Sequence, residues 1–262
     1  MSDLDERYPN LSNLVQSILK LSLEDLASRA PADRYEFYDL ERLLADTRQT
    51  DISAIAESPF APFAAQTRGY LATIEEYIAR NLVKNPLRFI KSKLAAPKNP
   101  RELRGGSEAL DTIAECSWGL WLHDQFGNLE EERPLPGGVG DADFYVMTPR
   151  GDFWVDCISV GPTSERYDLA AYLSEVVSEK WRSKFGLRCE SNEIITGICV
   201  SMMKRQEHVI GALRFAQNTS EALKASDSLW HECPGLRSIW IGLPPWHERD
   251  HRPEIIAEWR RP

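Results

Sequence analysis

The hydrophobic period of this chain changes near residue 100, and that change constrains the fold more than any other feature. Before it, apolar residues recur at helical spacing. After it, short alternating apolar stretches are interleaved with longer helical ones. Between the two lies AAPKNPRELRGG, residues 95–106, rich in proline, glycine and charge, which reads as a linker. We therefore expect a helical N-terminal region over residues 1–100 and an α/β domain over residues 101–262, a division that suits a 262-residue chain.

The first region predicts helices over residues 11–27, 33–47 and 64–85. Ser22 ahead of LEDL is a start signal followed by acids in the first turn. Pro59 and Pro62 separate the second helix from the third, and Pro86 ends or kinks the third. Beyond the linker, SEALDTIAECSWGLWLHDQF is a helix that Gly127 should stop. Strands are expected over LEEERPL, DADFYVMT and DFWVDCISV, the last two joined by PRGD as a hairpin. A long helix over residues 166–186 follows, then the apolar strand EIITGICVSMM, one or two helices to Trp230, and a final strand, RSIWIGL. That order implies one sheet flanked by helices.

Charge and cysteine usage narrow the function classes. No apolar run approaches the ~18–20 residues that cross a bilayer, so no membrane partner is expected. The polar start MSDLDERYPN does not read as a targeting peptide. Five scattered cysteines without CxxC spacing argue against a disulfide framework and fit a reducing cytoplasm. The net charge of −9 speaks against indiscriminate attraction to nucleic acid. Yet residues 80–104 hold eight cations against one acid, which leaves −16 on the remainder. Arg80, Lys84, Arg88 and Lys91 would form one basic stripe, a candidate nucleic-acid contact, if Pro86 only kinks its helix.

One residue stands out chemically. Asp156 lies in the middle of an apolar strand, where a carboxylate costs stability unless it is paired or binds a cation. Asp143 opens the preceding strand, thirteen residues earlier. Glu108, Asp111 and Glu115 share one face of the helix before it, at i, i+3, i+7. Converging carboxylates of this kind hold hard divalent cations. The histidines give no comparable signal, and there is no Walker loop, GxGxxG or GxSxG.

The stretch from Gly140 to Val160, GDADFYVMTPRGDFWVDCISV, resembles the central hairpin of the PD-(D/E)xK (restriction-endonuclease-like) nuclease superfamily. The resemblance spans roughly residues 105–245. It implies a restriction-endonuclease-like core, with Asp143 and Asp156 as the two acids and Glu115 (Glu108 as fallback) as a third Mg²⁺ or Mn²⁺ ligand. It also implies nuclease activity on DNA, or on RNA, in a prokaryotic restriction, defence or repair setting. One departure is plain: where the family places lysine, this chain has Ile158. Some relatives carry that lysine on the next helix, and here EKWRSK offers Lys180, which we favour, and Lys184. The alternative implied by Ile158 is a degenerate nuclease fold acting as a binding domain, its acidic surface serving a protein partner.

Overall fold

The computed structural model describes residues 3–30, 39–49, 61–94, 108–136, 140–160, 169–186, 194–202, 227–245 and 251–261. The chain divides into two compact units, Met1–Leu120 with Pro245–Arg252, and Trp121–Pro244 with Pro253–Pro262. The boundary thus falls inside a helix. The linker read from the sequence, residues 95–106, lies outside the described residues.

The first unit is helical: α1 (Asp3–Arg7), α2 (Pro9–Leu19), α3 (Leu23–Ala27), α4 (Leu40–Gln49), α5 (Ala61–Ala79) and α6 (Pro86–Arg88, running on as a π-helical turn, Phe89–Lys93). It also holds the larger part of α7 (Glu108–Phe126). Ser22 caps α3 in a reciprocal box with Asp25, as its position predicts. A buried acid, Asp5, and a half-buried one, Glu75, tie the short helices together. Asp5 accepts from the Ser12 hydroxyl at 2.6 Å and the Leu23 N–H at 3.0 Å. Glu75 on α5 accepts the Asn10 and Leu11 N–H groups at 2.9 and 2.8 Å, satisfying donors that the start of α2 leaves open.

Two expectations for this unit need correction. Pro62 does not precede α5 but sits in its first turn, where the missing N–H costs nothing. The helix then ends at Ala79, well before Pro86, because Asn81 turns the chain at φ 56°. Arg80 pairs with Glu76 at 2.8 Å, Lys84 lies in the connection, and Arg88 and Lys91 belong to α6. The single helical stripe of Arg80, Lys84, Arg88 and Lys91 therefore does not form.

The second unit is a mixed α/β layer. Its strands are β1 (Asn128–Pro134), β2 (Asp141–Met147), β3 (Phe153–Val160), β4 (Thr196–Met202), β5 (Leu236–Leu243) and β6 (Glu254–Arg260). Among the described residues they form one six-stranded sheet in sequence order. β1–β2, β2–β3 and β5–β6 run antiparallel; β3–β4 and β4–β5 run parallel. The parallel step from β3 to β4 is bridged by α8 (Leu169–Trp181, continuing as a π-helical turn, Arg182–Gly186) and the step to β5 by α9 (Asp227–Glu232). RSIWIGL is not the final strand, contrary to expectation, because β6 follows it. EIIAEWR is short, and only Trp259, buried between exposed Glu258 and Arg260, marks its inward face.

Turn chemistry sets the β2–β3 register. Gly151 takes φ 118° and returns its N–H to Thr148 at 3.1 Å, while Asp152 receives the Tyr145 hydroxyl at 2.7 Å. On one sheet face, Phe153, Trp240, Phe126 and Trp121 pack ring against ring, with centroids 5.3–6.4 Å apart. On the other face, the Trp181 indole of α8 donates to Thr196 Oγ1 at 2.9 Å. The aromatic face leaves no room at Gly197, where a Cβ would stand 2.5 Å from the Trp240 ring. Gly197→Ala should therefore destabilise the protein by about 1–3 kcal/mol, the usual cost of overpacking. Urea denaturation checks this, and a wild-type midpoint would show that the Trp240 ring yields freely.

Candidate active site

The site is built on the hairpin. In β3, Trp154 and Asp156 point to the face that α8 covers, while Val155 turns to the aromatic side. β2 pairs Tyr145 with Trp154 and Phe144 with Val155. Carried one step further, that register sets Asp143 directly across from Asp156. β3 is an inner strand between β2 and β4, and Asp156 is 0% exposed. The mid-strand acid is thus fully buried in the sheet.

Asp143 accepts the Cys157 N–H at 2.6 Å through Oδ2. Its carboxyl is pushed up to about 7, chiefly by burial, then by the charge of Asp156 and a hydrogen bond to it. The Cys157 N–H and the Lys180 ammonium work the other way. A second charge set beside Asp156 is disfavoured, so Asp143 keeps its proton well above the usual carboxylate range.

The compensating cations come from α8. Lys180 Nζ stands 3.0 Å from Asp156 Oδ2, and Lys184 Nζ stands 3.5 Å from Oδ1. Burial pulls the Lys180 ammonium toward neutrality, but Asp156 and then Asp143 outweigh it and raise its pKa, so it stays charged. Lys184 also donates to the Asp141 carbonyl at 2.7 Å. Each Asp156 oxygen thus faces one ammonium, Oδ2 that of Lys180 and Oδ1 that of Lys184. These contacts are therefore ion pairs. The lysine side chains are 32% and 31% exposed and Asp143 is half-buried, so solvent reaches the cluster through these groups while Asp156 itself has no exposure.

The residues singled out in the sequence fall into two groups. Asp143, Asp156 and Lys180 come together, with Lys184 beside them. Glu115 belongs to the first unit, where its Oε2 pairs with Lys93 at 3.1 Å. The Glu108 side chain lies outside the described residues. Among the described residues, no three His, Cys, Asp or Glu side chains gather as a metal-holding group. Two contributors were invisible in the motif, the Cys157 N–H and the Asp141 carbonyl, because backbone groups leave no sequence signal.

No family model, no characterised protein and no solved structure matches this chain. Among the described residues no helix is long and apolar enough to cross a membrane.

The carboxyl pair should make stability depend on pH. An unfolded aspartate releases its proton near 3.9, whereas the folded Asp143 holds one up to about 7. The folded state thus binds the extra proton, and its contribution is lost as pH rises through the folded value. Without divalent ions, the melting temperature should fall between pH 5 and pH 8. A loss of about 1 kcal/mol lowers it by ~2–4 °C. Asp143→Asn should remove that slope, and parallel wild-type and variant profiles would mean that Asp143 does not hold the extra proton.

Proposed function

We propose that this chain is a metal-dependent nucleic-acid phosphodiesterase with a restriction-endonuclease-like core, in which the missing strand lysine has moved to the following helix. The observation that carries this reading is the meeting of Asp143 and Asp156 with Lys180, 3.0 Å from Asp156, on a mixed sheet with helices on both faces. Asp156 is fully buried and Asp143 half-buried, and Lys180 and Lys184 offset the cost of their charge. Both lysine side chains keep about a third of their surface exposed, which leaves the ammoniums open to a phosphate.

The donor set fits a hard divalent cation such as Mg²⁺ or Mn²⁺. Asp143 and Asp156 supply carboxylate oxygen, and water or a substrate phosphate would complete the coordination. When bound, such an ion stabilises charge building on phosphate oxygens and on the oxygens entering and leaving phosphorus. The reaction is hydrolysis: a water oxygen bonds to phosphorus, the phosphorus–oxygen bond to one nucleoside breaks, and the leaving oxygen takes up a proton. Lys180, held protonated by its acids, acts as a donor and a fixed positive charge rather than as a base. It is placed to orient the water and to offset charge on the phosphorane. The Cys157 N–H keeps Asp143 turned toward the site.

A second reading has one observation in its favour. Among the described residues no three His, Cys, Asp or Glu side chains gather as a metal-holding group. On that reading the fold survives as a binding domain, for nucleic acid or for a protein partner.

Cleavage of labelled single- and double-stranded DNA and RNA in Mg²⁺ or Mn²⁺ separates the two. The nuclease reading expects metal-dependent products, loss of at least about a hundredfold in rate for Asp143→Ala, and a comparable loss for Lys180→Met. Full activity in Asp143→Ala would rule the assignment out. Metal binding without cleavage of any of the four substrates would favour the binding domain.

A further inference from the structure

Lys184 has no role in the two-acid, one-lysine arrangement just described, yet its ammonium has a backbone anchor beside Asp156. It lies 3.5 Å from Asp156 Oδ1 and is fastened by a 2.7 Å hydrogen bond to the Asp141 carbonyl. The contacts described for the Lys180 ammonium are with acids alone, which an incoming cation would share. Lys184 therefore keeps a neutral anchor when Asp156 is shared. It also sits in a π-helical turn, Arg182–Gly186. A π turn carries more residues per revolution than an α turn, so residues four apart come closer to alignment, and such turns recur at functional sites. Here the turn brings both ammoniums onto one carboxylate while Trp181 and Phe185 remain in the core.

We infer that Lys184 is a built-in second cation, occupying the place beside Asp156 that a second divalent ion would need, so that the site takes up one divalent ion rather than two. The inference rests on the phosphodiesterase reading and specifies its metal requirement. Two-ion sites clamp the attacking and leaving oxygens from opposite sides. In this chain one of those charges is an ammonium on a tether, always present and independent of ion concentration. The charge balance agrees. Two carboxylates and two lysines balance when both acids are ionised, and one added divalent ion leaves a surplus of two positive charges to meet a phosphodiester. A second divalent ion would have to share Asp156 with an anchored ammonium, a repulsion that grows steeply at such separations.

The test is Mn²⁺ binding by isothermal titration calorimetry, with bound ions counted by electron paramagnetic resonance, on the full chain without nucleic acid. Wild type should bind one ion. Lys184→Arg, which keeps the charge, should also bind one. Lys184→Gln, which keeps a donor for the Asp141 carbonyl but loses the charge, should bind two, or bind one about tenfold more tightly or better. Two ions in wild type would overturn the inference and leave the nuclease reading intact, a result that needs no variant to fold. Wild-type stoichiometry and affinity in a folded Lys184→Gln protein would overturn it as well. No Mn²⁺ binding by any of the three proteins would sink the metal reading itself.

Discussion

A carboxylate with no exposure, set in an inner strand among apolar neighbours, is the constraint on which the second unit depends. Moving an ion of that kind out of water costs several kcal/mol even after relaxation, and the cost is tolerable only with good partners. Asp156 is 0% exposed and its strand offers no cation, since the residues beside it are Cys157 and Ile158. Compensation has to come from another element. It comes from α8, through Lys180 and Lys184. Removing those ammoniums would leave an uncompensated charge in the sheet, so the hairpin and the helix are coupled by electrostatics as much as by packing.

That coupling works only if α8 is rotated correctly, and apolar contacts fix the rotation. Leu173, Val177, Trp181 and Phe185 are all buried, which defines the inward stripe. The Trp181 indole locks it with a hydrogen bond to Thr196 on β4. Lys180 lies three residues after Val177, and Lys184 lies four after Lys180, so both fall on the border of the stripe. Their stems pass along the core while the ammoniums reach the carboxylates.

Parts of this arrangement are legible in the sequence, and the stripe marks where legibility ends. Lys180 and Lys184 stand one turn apart in a helix after the hairpin, which makes them candidates. Their reach to Asp156 depends on how α8 is turned against the sheet, and the Trp181–Thr196 bond that fixes this joins elements distant in the chain. The acids were legible for a different reason: Asp156 breaks an apolar run, and Asp143 begins one at the hairpin distance. Most element positions in the second unit follow from alternation and turn residues. β6 did not, because its alternation rests on little more than Trp259. The basic stripe failed for a local reason, a left-handed Asn81 that hydrophobic periodicity does not reveal. Glu115 shows a limit of another kind. Helical spacing establishes which residues share a face but not the partners they take, and Glu115 pairs with Lys93, twenty-two residues away in sequence.

The acidic balance of the chain is then less of an obstacle to a polyanionic substrate than the net charge of −9 suggests. At physiological salt the Debye length is about 8 Å, so charges exposed elsewhere on the surface are largely screened at the site. What a phosphate meets there is local. Two ammoniums face two carboxyls, one of which, Asp143, holds its proton up to about 7, so this cluster of four groups is neutral or slightly positive before any divalent ion arrives. Low-dielectric walls strengthen the effect, because Asp156 is walled in by sheet and helix while the lysines reach solvent. The net negative charge outside this cluster also disfavours indiscriminate wrapping of nucleic acid. Discrimination would then fall to the few phosphates that reach Lys180 and Lys184.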